Sequence, residues 1–211
     1  MKKINKYIWI AVLPLLLVAS CKKETTKHVS KTVKVSFPTI ALNGSPIVIV
    51  AVGANYTDAG AKLTDDITGQ IKDIQPTSSN VNTATPGLYI VTFSASNANG
   101  FETSESRVVA VTNVSGTTDV SGVYTRPATG LTCTITKLSN GVYKVQNPGG
   151  AGVGVNTVVY FVETSPGVFV CPPQPTDAGI MSVLNIHFTA TGATWNVSNP
   201  TYGTGLRTFV K

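Results

Sequence analysis

Helical periodicity is missing from nearly all of this 211-residue sequence. In its place stand short runs rich in valine and threonine, broken about every 8–12 residues by Gly, Pro, Asn or Ser. β-Branched side chains fit a half-buried pleated surface, and the punctuating residues supply the turns between strands. The expectation is therefore an all-β chain. Its length exceeds one small sandwich, so two β domains are expected, over 35–112 and 120–211. Between them Asn113 to Asp119 (NVSGTTD) reads as a short polar linker.

The N-terminus follows another rule. Lys2, Lys3 and Lys6 precede Ile8 to Val18, an apolar core of 11 residues interrupted by Pro14. That is short of the roughly 20 residues a spanning helix needs, so residues 1–20 read as a cleaved export signal. Leu17-Val18-Ala19-Ser20-Cys21 resembles the lipobox of bacterial lipoproteins, whose cysteine is lipidated and becomes the first mature residue. The resemblance implies a lipid on Cys21, a membrane as partner, and residues 21–34 as a tether. More than one acyl chain would satisfy the requirement for stable anchoring. Cys21-Lys22-Lys23-Glu24 is also similar to the mature start of Bacteroidetes surface lipoproteins. That implies the outer membrane and its exposed face.

The formal charge of +6 is not a property of either domain. Three lysines sit in the signal. Residues 22–34 then hold five lysines against one glutamate, whereas residues 35–112 hold three basic and six acidic residues. A basic domain face is absent from this pattern, which argues against nucleic-acid binding. The lysine-rich tether suits a solvated segment beside anionic lipid.

In the first domain, Ile47-Val48-Ile49-Val50 is a continuous apolar run and reads as a strand buried on both faces. Gly87 to Ala95 alternates, with Tyr89, Val91, Phe93 and Ala95 on one side and Leu88, Ile90, Thr92 and Ser94 on the other. Four ordered motifs carry a resemblance. They are Val52 to Ala61 (VGANYTDAGA), Pro86 to Phe93 (PGLYIVTF), Asn97 to Gly100 (NANG) and Arg107 to Val111 (RVVAV). Together they resemble the bacterial immunoglobulin-like family first noted in pesticidal crystal proteins, with Ala59 and Asn97 where that family usually has proline and aspartate. The resemblance implies an Ig-like β-sandwich used as a spacer or adhesion module, without chemistry of its own.

The second domain offers eight consecutive strand-like runs with mostly short turns, including a hairpin at Ser139-Asn140-Gly141. They predict an antiparallel meander β-barrel or a strongly curved sandwich. Gly122-Val123-Tyr124-Thr125-Arg126, Ile135-Thr136-Lys137, Gly141 to Val145, Gly149-Gly150 and Trp195 resemble, in order, a C-terminal domain of Bacteroidetes lipoproteins. Such proteins are often encoded near SusC- and SusD-like glycan-uptake systems. The resemblance implies glycan, or such partner proteins, as binding partners.

No catalytic, cofactor or metal signature stands out. Pro148 to Gly154 (PGGAGVG) lacks the Lys-Ser/Thr and helix of a phosphate loop and reads as a flexible or tightly turning connection. His187 alternates with Leu184, Ile186 and Phe188 and falls on the polar side, with no GxSxG serine to serve. Glu163 and Asp177 are the only pair of acids for glycoside hydrolysis beyond residue 119. Asp58, Asp65 and Asp66 lack the ligand spacing of a calcium loop. Cys133 and Cys171 remain as either a disulfide, which an exported chain permits, or two buried thiols. The rings of Tyr202, Tyr160 and Trp195 are the candidate ligand-binding residues, with Tyr202 in a loop as the expected exposed one. The chain is thus expected to bind rather than to catalyse.

Overall fold

A computed structural model of the protein describes residues 35–114 and 119–211. The expected export signal, Cys21 and expected tether, in residues 1–34, and residues 115–118 of the expected linker lie outside the described residues. Ser36–Lys211 form one compact unit.

The first seven strands are β1 (Thr39–Leu42), β2 (Ile47–Val50), β3 (Ala61–Thr64), β4 (Ile71–Ile74), β5 (Ser78–Ser79), β6 (Gly87–Ser96) and β7 (Glu102–Val111). They make two sheets, β1-β3-β4 and β2-β7-β6-β5. The sandwich core lies between them. Leu63 from β3, Val91 and Phe93 from β6, and Val109 and Val111 from β7 are all at most 1% exposed. The alternation expected for Gly87 to Ala95 is realised, since Tyr89 and Ala95 pack against that same core. The run Ile47 to Val50 departs from expectation. It pairs only with β7, in parallel, and forms a sheet edge on which Ile49 is exposed. Continuous apolarity cannot by itself separate an edge strand from a central one.

The next eight strands are β8 (Gly122–Arg126), β9 (Leu131–Ser139), β10 (Val142–Gln146), β11 (Val158–Ser165), β12 (Val168–Thr176), β13 (Gly179–Thr189), β14 (Gly192–Ser198) and β15 (Leu206–Val210). Each pairs antiparallel with the next and β15 returns to β8, so the sheet closes into a meander barrel. Of the two architectures expected, it is the barrel. Eight strands leave an interior just wide enough for side chains. Phe161 packs edge-on to Trp195 at 5.8 Å, Trp195 stacks on Phe209 at 4.3 Å, and Phe169 meets Phe188 at 5.0 Å.

Two irregularities aim side chains in ways the alternation did not suggest. Asn185 adopts a positive φ of 54°, and the β13–β14 register shifts between Leu184 and His187. That bulge turns Leu184 outward while Ile186 and Phe188 pack inward, so the three do not share a face. His187 is exposed. On β12, Pro172 and Pro173 interrupt the ladder and the register shifts before Gln174. The buried Gln174 amide substitutes for the lost backbone. Its Nε2 donates to the Tyr160 carbonyl and its Oε1 accepts from the Tyr160 amide, both at 2.9 Å. The strand therefore runs on through the prolines to Thr176.

The two domains pack side by side. Leu88 on β6 and Val108 and Ala110 on β7 point away from the sandwich core and join Val142 and Val162 of the barrel wall in one buried apolar cluster. Thr112 adds a hydrogen bond from its hydroxyl to the Glu163 carbonyl, 2.8 Å.

Candidate binding groove

Beyond the apolar cluster, the sandwich and barrel diverge and leave an open groove. It comprises two adjoining hollows of about 310 and 620 Å³. Both are lined by Glu105 and Ser106 from β7 and by Pro175, Thr176 and Asp177 from the end of β12. Tyr160 and Asn156 border the smaller hollow, and Thr92, Ser104 and Ile180 the larger. Ile180 also borders a third hollow, of about 520 Å³, that continues over the barrel shoulder past Ser182 and Ser198 to the loop at Asn199–Thr204. The lining mixes short hydroxyls, an amide, proline rings and one half-buried tyrosine with the aliphatic side chains of Val108, Val158 and Ile180. Its only charges are carboxylates. Such a surface offers hydrogen bonds to a neutral or cationic, hydroxyl- or amide-bearing ligand.

Glu105 and Asp177 approach this groove from opposite walls. Both are exposed to solvent, whereas general acids are ordinarily held in apolar enclosures that keep the proton on. Glu163, the other acid considered for hydrolysis, is buried at 0% exposure, and its Oε1 accepts from the Gly167 amide at 2.6 Å. It does not line the groove with Asp177.

The candidate rings are not brought together. Tyr160 alone borders the groove. Trp195 is 0% exposed, and its Nε1 donates to the Pro148 carbonyl at 2.8 Å. It is a core residue and offers no face to a ligand. Tyr202 is half-buried. Its hydroxyl donates to the Val153 carbonyl at 2.6 Å, and its ring lies over Gly149 and Gly154. A loop position suggested exposure, but the glycines of Pro148 to Gly154 let the ring settle flat upon them. Of the two readings of that segment, flexible or tightly turning, the structure takes the second, packed as a plug over one barrel end. Asn147, at φ 56°, turns the chain into it.

Cys133 and Cys171 are free thiols inside the barrel. They stand on β9 and β12, which two intervening strands separate. The Cys171 sulfur accepts a hydrogen bond from Gln174 Nε2 at 3.3 Å. Burial pushes both thiols up to about 12.

The acids of the sandwich do not gather either. Asp58 pairs with the buried Arg107 and accepts the Tyr56 hydroxyl at 2.5 Å and the Gly60 amide at 2.7 Å. Arg107 Nε also donates to the Ser45 carbonyl, and Nη2 to those of Asn43 and Gly60. Asp65 accepts the amides of Ile67, Thr68 and Ala98. Asp66 accepts from the Asn97 amide group at 2.9 Å, which also donates to the Ser36 carbonyl at 2.7 Å. Sequence reading placed Asp58 and Arg107 in motifs without pairing them. A charged residue at inward parity on β7 was the available signal.

These features define a class: an Ig-like sandwich packed along a plugged, side-chain-filled barrel, with a groove of mixed polar and apolar lining between them. Residues 40–111, which span the sandwich, match the family described as bacterial surface protein, Ig-like domain. Among solved structures, the chain is similar to the lipoprotein BT2262 from Bacteroides thetaiotaomicron. The identity is 22% and the TM-score 0.38, with 82% of this chain and 98% of that chain covered. No curated protein matches.

Proposed function

We propose that this chain is a lipid-anchored binding protein of the bacterial outer membrane, exposed at the surface and without catalytic activity. Its ligand occupies the groove between sandwich and barrel, and glycan is the ligand class. The observation that carries this reading is the lining: hydroxyls and carboxylates beside the Tyr160 ring, the groups that satisfy sugar hydroxyls and a sugar C–H face. The Cys21 lipobox resemblance and the surface-protein Ig-like match over 40–111 support the address. SusC/SusD-like proteins are the partner class that fits a glycan ligand.

A glycan-array screen of residues 22–211 tests it. Binding is expected, and it should fall at least tenfold in Ser106→Trp, which fills the groove, and in Asp177→Ala. Absence of binding across a broad array sinks the glycan reading. Binding unchanged in both variants moves the site elsewhere.

A second reading, a protein or envelope partner, is favoured by a different surface. Leu184 and Leu206, 50% and 60% exposed, flank Asn196 in one cross-strand row on the outer barrel wall. Cross-linking on intact cells that is lost in the pair Leu184→Glu with Leu206→Glu, and kept in Ser106→Trp, would select that reading.

A further inference from the structure

The plugged end of the barrel holds two arginines that no carboxylate answers. Arg126 ends β8 and Arg207 lies on the adjoining β15, both at inward parity beside Tyr124 and Phe209. Arg207 is 8% exposed. Its Nη1 donates to the Gly205 carbonyl at 2.8 Å and its Nη2 to the Tyr202 carbonyl at 2.6 Å. Its Nε is buried with no acceptor. Arg126, half-buried, makes one hydrogen bond, from Nη1 to the Gly149 carbonyl at 3.2 Å. The ion pairs among the described residues involve neither arginine.

Main-chain carbonyls satisfy donors but do not neutralise charge. A guanidinium taken out of water is costly unless an anion accompanies it. Two of them side by side add repulsion. Burial holds the Arg207 guanidinium below its ordinary value, and the Arg126 charge lowers it further. The plug supplies no negative charge: its Gly149 carbonyl accepts from Arg126, and its Gly150 carbonyl accepts from the Thr129 hydroxyl at 2.6 Å. Gly150 lets the plug lie close against the aliphatic stem of Arg126 and the Phe209 ring. A Cβ on Gly150 would lie 2.9 Å from Arg126 and 2.8 Å from Phe209.

We propose that this end of the barrel is an anion site, in which Arg126 and Arg207 take one oxyanion, a carboxylate or phosphate group of a ligand. Arg126 is the accessible arm and Arg207 the inner one. Guanidiniums bind both anions through paired N–H groups. The site stands apart from the groove and does not depend on the reading given to it.

The test follows the arginine Nε–H resonances of ¹⁵N-labelled residues 22–211 during titration. Inorganic phosphate and acetate are added in separate arms, with ionic strength held constant by chloride. A saturable shift of the Arg207 Nε–H signal is expected in at least one arm, and which arm saturates tells phosphate from carboxylate. Arg126→Gln should weaken that binding at least tenfold, and Arg126→Lys should weaken it less. A drift no larger than chloride produces in both arms overturns the proposal. So does unchanged affinity in a folded Arg126→Gln. Should that variant fail to fold, the wild-type titration decides alone.

Discussion

Arg107 is 1% exposed inside a β-sandwich, and it is tolerable there because several groups answer it at once. Asp58 pairs with it, three carbonyls accept from it, and the Phe93 ring lies 5.9 Å from its head. Removing one partner leaves the other charge buried and unpaired. Asp58→Ala should therefore destabilise by about 3–5 kcal/mol, read as a lower denaturant midpoint. Replacing both together, Asp58→Leu with Arg107→Met, should lose less. Burial raises the Asp58 carboxyl, but hydrogen bonds from Tyr56, Arg107 and the Gly60 amide outweigh it, and the net direction is down from 3.8. The carboxylate's contribution is thus complete above that value and lost as pH falls through the lowered one. Wild type should resist acid further than Asp58→Asn, as acid titration of the fold will show. Tyr56 moves the other way. Burial first, then the hydrogen bond to Asp58 and its charge, push it up to about 12. Its contribution is present below 10 and fades as pH rises toward 12. The two barrel thiols make a separate prediction at this scale. Buried and raised to about 12, Cys133 and Cys171 should resist a thiol reagent at about pH 8 in the native state. They should react once denaturant opens the barrel. The motif around Tyr56 and the closing strand at Arg107 were both legible in the chain. Their pairing was not, because 49 residues separate Asp58 from Arg107 and composition carries no trace of a contact made in three dimensions.

Among the elements, the eight barrel strands arise from short runs and turn residues, yet alternation fails wherever the ladder slips. A bulge inserts one residue and reverses the facing of the residues beyond it. The bulge at Asn185 is the reason Leu184 points outward, and no periodicity count could have placed it. Pro172 and Pro173 each remove a ladder donor from β12, which would ordinarily end a strand. Gln174 supplies the substitute bonds, and the strand continues. The plug is a segment whose composition left two readings open, flexible or tightly turning. Glycine suggests freedom, but here it permits contact. Gly154 sits at φ +70°, and a Cβ there would fall well inside the Tyr202 hydroxyl. Gly167 has a similar φ of +77° with open space around it. The contrast between the two positions separates two effects. Gly167→Ala should cost about 1–2 kcal/mol from the left-handed backbone alone. Gly154→Ala should add about 1–3 kcal/mol of overpacking and release the Tyr202 ring. Thermal melts of the two variants will measure the difference.

At the scale of the whole molecule, the alternation in β6 and β7 explains why the domains associate. One face of each strand serves the sandwich core, through Val91, Phe93, Val109 and Val111, and the other is apolar as well, through Leu88, Val108 and Ala110. A sandwich facing water on its outer side would alternate apolar with polar. The second apolar face was visible as Leu88 and Ile90, and what covers it could only come from the fold. The barrel wall answers with Val142 and Val162, both 0% exposed, and that contact positions Glu105 and Ser106 across the groove from Thr176 and Asp177. The groove therefore depends on the packing beneath it. Val162→Asp places a lone carboxylate in the apolar cluster at a cost of several kcal/mol. The walls should part before either core melts. The expected result is a larger radius of gyration by solution scattering and a thermal transition that splits in two, with ligand binding lost from the groove. Val168→Asp, on the same barrel but 51% exposed, should leave all three readouts unchanged. If Val162→Asp kept the wild-type radius and a single transition, the apolar cluster would not be what holds the walls together. Weight would then fall on the Thr112–Glu163 hydrogen bond and the chain beyond it.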